Sequence, residues 1–310
     1  MSNGLKTSLG IWALGPMVTR FVPGGYKPEY AGESTADRVR RAVEGLGDLV
    51  DGYEFHYPQE LNEDNLESVR AVLGGHDVYC MATGLHLDPR FSRGGLVSPD
   101  PATRDEAVKR TLAAIDFSGT LGAHFIIWPG IEGYNYPFQT PYKESWEWLV
   151  DGIGQAAQRC KEHGILLFLE HKNSEPAMKI MMGNVGMTLH VIHKLRAQGL
   201  DNVKVNMDWQ HLIMNGENLA EYAALLAAEG PARAPTCKLR LGHVRRRQHG
   251  RGDRVHGDAR VGDRVSAGRL RAKRRAARLR SLPVHRGRGR RRAPLRPALA
   301  LHRWDRCQDR

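Results

Sequence analysis

Over its first 243 residues the chain alternates apolar runs of strand length with amphipathic stretches of helix length. The runs lie at residues 5–14, 50–56, 77–83, 123–129, 165–171, 203–209 and 238–243. Several of them, such as 125–128 and 165–169, are apolar at successive positions and not at alternate ones, the pattern of a parallel strand buried on both faces. Between the runs the spacing predicts helices over 35–46, 60–73, 105–121, 143–163, 185–197 and 218–228. Two of these carry boundary signals: Ser98-Pro99-Asp100-Pro101 precedes the third, and Gly164 ends the fourth with the residue best suited to a left-handed cap. Strands alternating with helices imply βα units around a parallel sheet. Seven strands without an eighth predict an α/β fold, a (β/α)8 TIM barrel incomplete at strand eight, for which about 250 residues is typical. A doubly wound sheet is the alternative, but the turn after Gly10-Ile11 lacks the G-x-G-x-x-G phosphate loop that such a sheet uses for dinucleotides.

Charge divides the chain where the pattern stops. Residues 1–240 hold 23 Lys and Arg against 29 Asp and Glu, whereas residues 241–310 hold 23 basic and 5 acidic residues, so the overall +12 belongs to the last 70 positions. An acidic body excludes a protein that binds nucleic acid throughout, and no apolar run approaches the roughly 18 residues of a membrane helix. The first ten residues lack the basic start and apolar stretch of a signal peptide. Cys80, Cys160, Cys237 and Cys307 lie too far apart in sequence for a C-x-x-C knuckle and form no disulfide framework, which makes a reducing cytoplasm the expected compartment.

The last 70 residues contain 22 Arg and no Glu, Ile, Phe, Tyr, Met, Asn or Thr. One reading is a disordered tail that binds nucleic acid. The other is translation out of frame, since strings of Arg, Ala, Gly and Pro are what a GC-rich gene yields when misread. Shifting the frame by one nucleotide across residues 244–260 allows FDDDNMVGATASMETLE, an acidic loop leading into an amphipathic helix. The same shift across 272–305 allows NGERLGFDLYPYTEDAVGA and then RFIDG. The expected organisation is therefore a barrel over residues 1–243 followed by an Arg-rich, out-of-frame and disordered tail over 244–310.

A (β/α)8 barrel builds its active site at the C-terminal ends of its strands. The residues that end or follow the predicted strands are His56, His86, Trp128, Glu170 with Lys172, Asp208 with His211, and His243. Glu170 and Lys172 are two apart, so their side chains share one face of a strand that is otherwise apolar. An ion pair capping the strand is the structural alternative. Asp208 and His211 stand three apart where the chain leaves its strand, a spacing that lets a carboxylate and an imidazole turn onto one ion. Such a mixed oxygen and nitrogen site suits Mg, Mn or Co better than a sulfur-rich zinc site does. Trp128 offers a flat apolar wall suited to the CH face of a sugar.

These residues resemble the metal-dependent xylose isomerases and the wider xylose isomerase-like TIM-barrel superfamily of sugar isomerases and epimerases. The stretch Leu169-Glu170-His171-Lys172-Asn173-Ser174-Glu175-Pro176 is similar to that family's E-P-K-P-N-E-P motif, and Asn206-Met207-Asp208-Trp209-Gln210-His211 to its N-P-E-V-G-H. Gly52-Tyr53-Glu54-Phe55-His56 resembles the strand that bears the ring-opening His, and Trp128-Pro129-Gly130-Ile131-Glu132-Gly133 the substrate-wall Trp motif. Asp208 is one methylene shorter than the family's Glu, and Tyr57-Pro58 stands where acidic residues follow the ring-opening His. The resemblance implies an aldose–ketose isomerase acting on xylose or a related sugar with one or two divalent ions (Mg, Mn or Co) per chain. It assigns catalysis to His56 and Lys172, substrate binding to Trp128 and His86, and metal ligation to Glu170, Asp208, His211 and His243. The implied partner is a small sugar, with no membrane and no nucleic acid, and assembly into a homo-oligomer is compatible with it. The acidic peptides hidden in the shifted frame look like further metal-binding segments, so the chain as written would be inactive. Other classes stay open: a single-metal sugar epimerase or glycoside- or sugar-phosphate-processing barrel, an endonuclease IV-like barrel, and a non-enzymatic barrel remnant with a nucleic-acid-binding tail.

Overall fold

A computed structural model describes residues 6–19 and 21–228. Its framework is a parallel sheet of six strands, β1 (Ser8–Gly10), β2 (Gly52–Tyr57), β3 (Asp77–Thr83), β4 (His124–Ile127), β5 (Leu167–Glu170) and β6 (Val203–Asn206), hydrogen-bonded in that order. The helices are α1 (Thr35–Leu46), α2 (Leu66–Leu73), α3 (Pro101–Thr120), α4 (Tyr142–Glu162), α5 (Val185–Ala197), α6 (Trp209–Met214) and α7 (Leu219–Ala228). Each strand pairs with its predecessor, the arrangement of a barrel wall and not of a doubly wound sheet, in which the strand order reverses. The expected strand at 238–243, the tail at 244–310 and His243 lie outside the described residues.

Alternation along the strands sorts side chains into two layers. One face of the sheet contributes Tyr53, Phe55, Phe125, Leu167, Leu169, Val203 and Val205, which pack with Val39, Ile115, Ile153 and Leu195 of the helices into the main core. Burying one such side chain stabilises the fold by about 1.5–3 kcal/mol. The other face carries a smaller cluster of Cys80, Ala82, Ile126 and Phe168, with Tyr79 and Leu166 against it. A register shift opposite Tyr53 and Glu54 puts both Tyr79 and Cys80 on this second face.

Local chemistry explains most boundaries. Ser34, Asp100 and Asn184 each cap a helix, accepting the backbone N–H of Asp37, Thr103 and Met187, and Pro101 opens α3 as its first residue. Gly164, at φ +70, closes α4 as the sequence predicts.

Three expectations need correction. The first strand does not run from 5 to 14: β1 stops at Gly10 and a 3-10 turn covers Ile11–Leu14. There the Trp12 indole folds back over Gly10, in space that a β-carbon would fill. The second helix starts at Leu66 and not at 60, because Glu60, Asn62 and Asn65 are engaged in a turn that returns the Glu60 carboxylate to His56. The run at 203–209 pairs only to Asn206, and Asp208 caps the unanticipated α6.

Candidate active site

Sheet pairing brings Glu170 opposite Asn206, the last register pair of β5 and β6. Two residues on, Asp208 caps α6, its Oδ1 accepting the N–H of Gln210 at 2.8 Å and of His211 at 3.4 Å. The cap folds the chain so that His211 returns to its own carboxylate, with Nε2 3.7 Å from Asp208 Oδ2 and Nδ1 3.3 Å from Glu170 Oε1. Glu170, Asp208 and His211 are buried, and one ligand atom from each lies within 4.8 Å of the others. Asn206 donates from its side-chain amide to Glu170 Oε2.

This donor set fits a divalent ion. His211 Nδ1 lies 3.0 Å from the backbone carbonyl of His171, so Nδ1 carries a hydrogen, and Nε2, on the side of Asp208, is the nitrogen that the neutral ring would offer to an ion. Bond lengths of about 2.0–2.6 Å span donors up to about 5 Å apart, and two carboxylates with one imidazole suit an oxygen-preferring ion such as Mg or Mn, or Co.

A row of rings forms a second assembly. Trp12 lies 4.4 Å from the His56 ring, His56 6.0 Å from His86, and His86 4.7 Å from Trp128, centroid to centroid. Lys172 Nζ stands 4.9 Å from the centre of the Trp128 ring. Lys172 joins this row to the Glu170, Asp208 and His211 cluster, since it follows Glu170 by two residues. Burial, with the nearness of His56 and Lys172, pulls the His86 imidazole down to about 4, so at neutral pH it is an uncharged ring. Glu60 Oε2 lies 2.9 Å from His56 Nδ1 and also accepts the His56 backbone N–H at 2.8 Å. A carboxylate thus reaches His56 despite Tyr57-Pro58, from four residues downstream.

The described members of the expected site therefore fall into two connected groups: Glu170, Asp208 and His211, and His56, His86, Trp128 and Lys172. Sequence reasoning missed Trp12, Glu60, Asn206 and Glu132. Trp12, two residues beyond a strand, and Glu60, four beyond a candidate histidine, had a positional signal. Glu132 had none. Its buried carboxylate accepts the N–H groups of Gly95 at 3.2 Å, Leu96 at 3.0 Å and Val97 at 2.9 Å, tying the loop after β3 to the Trp128 segment. That segment is further held by a short antiparallel ladder between Gly133–Tyr134 and Lys179–Ile180.

The family described as xylose isomerase-like TIM barrel matches residues 41–265, and the chain belongs to it. Its curated relatives include xylose isomerases of Thermus thermophilus, 29% identical over 153 residues (48% of this chain, 39% of the relative), and Thermus caldophilus, 31% over 148 residues (46% and 38%). The chain thus spans about two fifths of the length of these relatives. Among solved structures it resembles the 3-keto-D-glucoside 4-epimerase of E. coli, with a TM-score of 0.53 at 16% identity, covering 86% of this chain and all of that one. An L-ribulose 3-epimerase gives a TM-score of 0.51 at 15% identity, covering 90% and 99%. At that identity the likeness is one of fold. No helix among the described residues is long and apolar enough to cross a membrane.

Proposed function

We propose that this chain derives from a divalent-metal-dependent sugar isomerase that moves hydrogen between C1 and C2 of an open-chain aldose, xylose or a close relative. The observation that carries the reading is one strand end: Glu170 in a buried carboxylate–imidazole cluster, and Lys172 on the same face beside the Trp128 ring. Glu170, Asp208 and His211 would hold a divalent ion, which would supply Lewis acidity toward the oxygens borne by C1 and C2, the two carbons between which the hydrogen moves. Lys172 donates a hydrogen bond to the carbonyl oxygen. His56, its Nδ1 engaged by Glu60, offers Nε2 to take the ring hydroxyl proton as the sugar opens. Trp128 and Trp12 present flat apolar faces to the sugar and exclude water, and the uncharged His86 ring between His56 and Trp128 contributes to the same wall.

The reading includes residues 244–310 as an out-of-frame segment and His243 as a further ligand. A frame-corrected chain, carrying the acidic segments FDDDN and GFDLYPYTED, then gains the oxygen ligands that six-coordination requires. Cys80 and Cys160 are buried as thiols, which suits a reducing, cytoplasmic setting.

The test is incubation of the frame-corrected chain with aldopentoses and Mg, Mn or Co ions. Ketose formation that stops in excess chelator is the expected result, and full activity in chelator refutes the reading. A second reading, a single-metal epimerase, draws on the single compact cluster of three donors among the described residues. The same incubation separates the two, because an epimerase converts a sugar into its epimer and forms no ketose from an aldose.

A further inference from the structure

We propose that His171 is a positioning residue, clamped between Glu217 and Tyr222 so that its backbone carbonyl holds the His211 ring with Nε2 toward Asp208. The inference rests on the metal reading above. His171 stands where the resembling family motif has proline, and it is fully buried. A buried imidazole is costly unless both ring nitrogens find partners. Here Nε2 lies 2.8 Å from Glu217 Oε2 and Nδ1 3.4 Å from the Tyr222 hydroxyl, while the Tyr222 ring stacks on it at 5.5 Å and 14°.

The clamp has its own anchor. Glu217 accepts the Val185 N–H at 3.0 Å, at the start of α5, and the Asn215 side-chain amide at 3.1 Å. Asn215 also donates to the Gly183 carbonyl at 3.1 Å. The helix layer thus grips the 171 ring from the side of the strand opposite to Glu170 and Lys172, since successive side chains alternate.

The grip acts where the ladder runs out, since Glu170 opposite Asn206 is the last register pair of β5 and β6 and residue 171 stands at its edge. Its carbonyl nevertheless accepts from His211 Nδ1 at 3.0 Å, the contact that fixes the tautomer and leaves Nε2 for an ion. Releasing the ring frees the carbonyl, and with it the orientation of a ligand.

The experiment uses the full chain and Mn ions alone, with a reach series at Glu217. Glu217→Ala removes the clamp, Glu217→Asp keeps the charge but withdraws it, and Glu217→Gln keeps the reach. Titration calorimetry is expected to give Mn affinities in the order wild type and Glu217→Gln, then Glu217→Asp, then Glu217→Ala, the last weaker by about 10- to 100-fold. Nitrogen NMR of the metal-free, histidine-labelled chain, with His211 assigned by its loss in His211→Gln, is expected to show the Nδ1–H tautomer in wild type and a mixture in Glu217→Ala. General destabilisation would lower the melting temperature without changing either readout in the folded state. Unchanged affinity and tautomer in folded Glu217→Ala overturn the clamp. Should that variant not fold, unchanged values in Glu217→Asp overturn it equally. If the wild type takes up no Mn, the metal reading falls and the tautomer series alone decides the clamp.

Discussion

Glu132 offers a direct test of how burial and hydrogen bonding compete in this fold. Its carboxyl is 2% exposed and faces three backbone N–H donors from residues 95–97. Burial pushes it up from 4.5 to about 7, against the pull of those three donors. The folded chain therefore holds the Glu132 proton more tightly than the unfolded chain does. The stability this proton contributes is complete below pH of about 4.5 and is lost as pH rises through about 7. The gap between 4.5 and about 7, at about 1.4 kcal/mol per pH unit, amounts to about 3 kcal/mol. The perturbation is Glu132→Gln, which keeps one acceptor for the loop and removes the titration. Urea unfolding of both proteins in half-unit steps from pH 4.5 to 8.5 gives a difference curve in which the other groups cancel. Relative to the variant, wild type is expected to lose about 3 kcal/mol across that range, most steeply between about pH 5 and 7. Parallel curves, or a wild type that gains on the variant with rising pH, would show that the three N–H donors outweigh burial and refute the reasoning.

Other consequences follow from the same geometry. His86, drawn down to about 4, contributes stability that is present above about 6.5 and lost as pH falls through 4, so His86→Asn is expected to flatten the acid side of the stability curve. A His86 NMR titration centred near 6.5 would contradict this. Lys172→Ala is expected to leave Mn binding intact by calorimetry and to abolish nearly all turnover of the frame-corrected chain; loss of Mn binding would move Lys172 from catalysis to site assembly. At Gly133 a β-carbon would stand 1.9 Å from the Lys179 carbonyl oxygen, so Gly133→Ala must part the ladder behind Trp128, at a cost of about 2 kcal/mol in urea unfolding, and wild-type stability in that variant would refute the account.

Periodicity and end signals made much of the wall legible. The α1 and α5 boundaries match the hydrophobic pattern at both ends, because an amphipathic helix writes its burial into local spacing and its cap into one or two residues. The spacings within Glu170-His171-Lys172 and Asp208-Trp209-Gln210-His211 likewise fix which side chains share a face. The early end of β1 at Gly10 and the start of α2 at Leu66 were not legible, since both depend on long side chains returning to residues they do not adjoin in the pattern: Trp12 over Gly10 and onto His56, Glu60 onto His56.

What the sequence determined by itself is thus the alternation of strand and helix, the acidic body set against a basic last segment, and the strand ends where chemistry concentrates. Only the tertiary structure decided that the ends of β5 and β6 bring Glu170, Asp208 and His211 within reach of one ion, that the rings of Trp12, His56, His86 and Trp128 line up, and that Glu132 and Glu217 brace loops from 32 to 46 residues away in sequence. The reason is physical. Hydrophobic patterning constrains neighbours along the chain, whereas the partners of a buried polar group are set by which strands lie side by side, and that follows from the order of strands in the sheet rather than from any local run of residues.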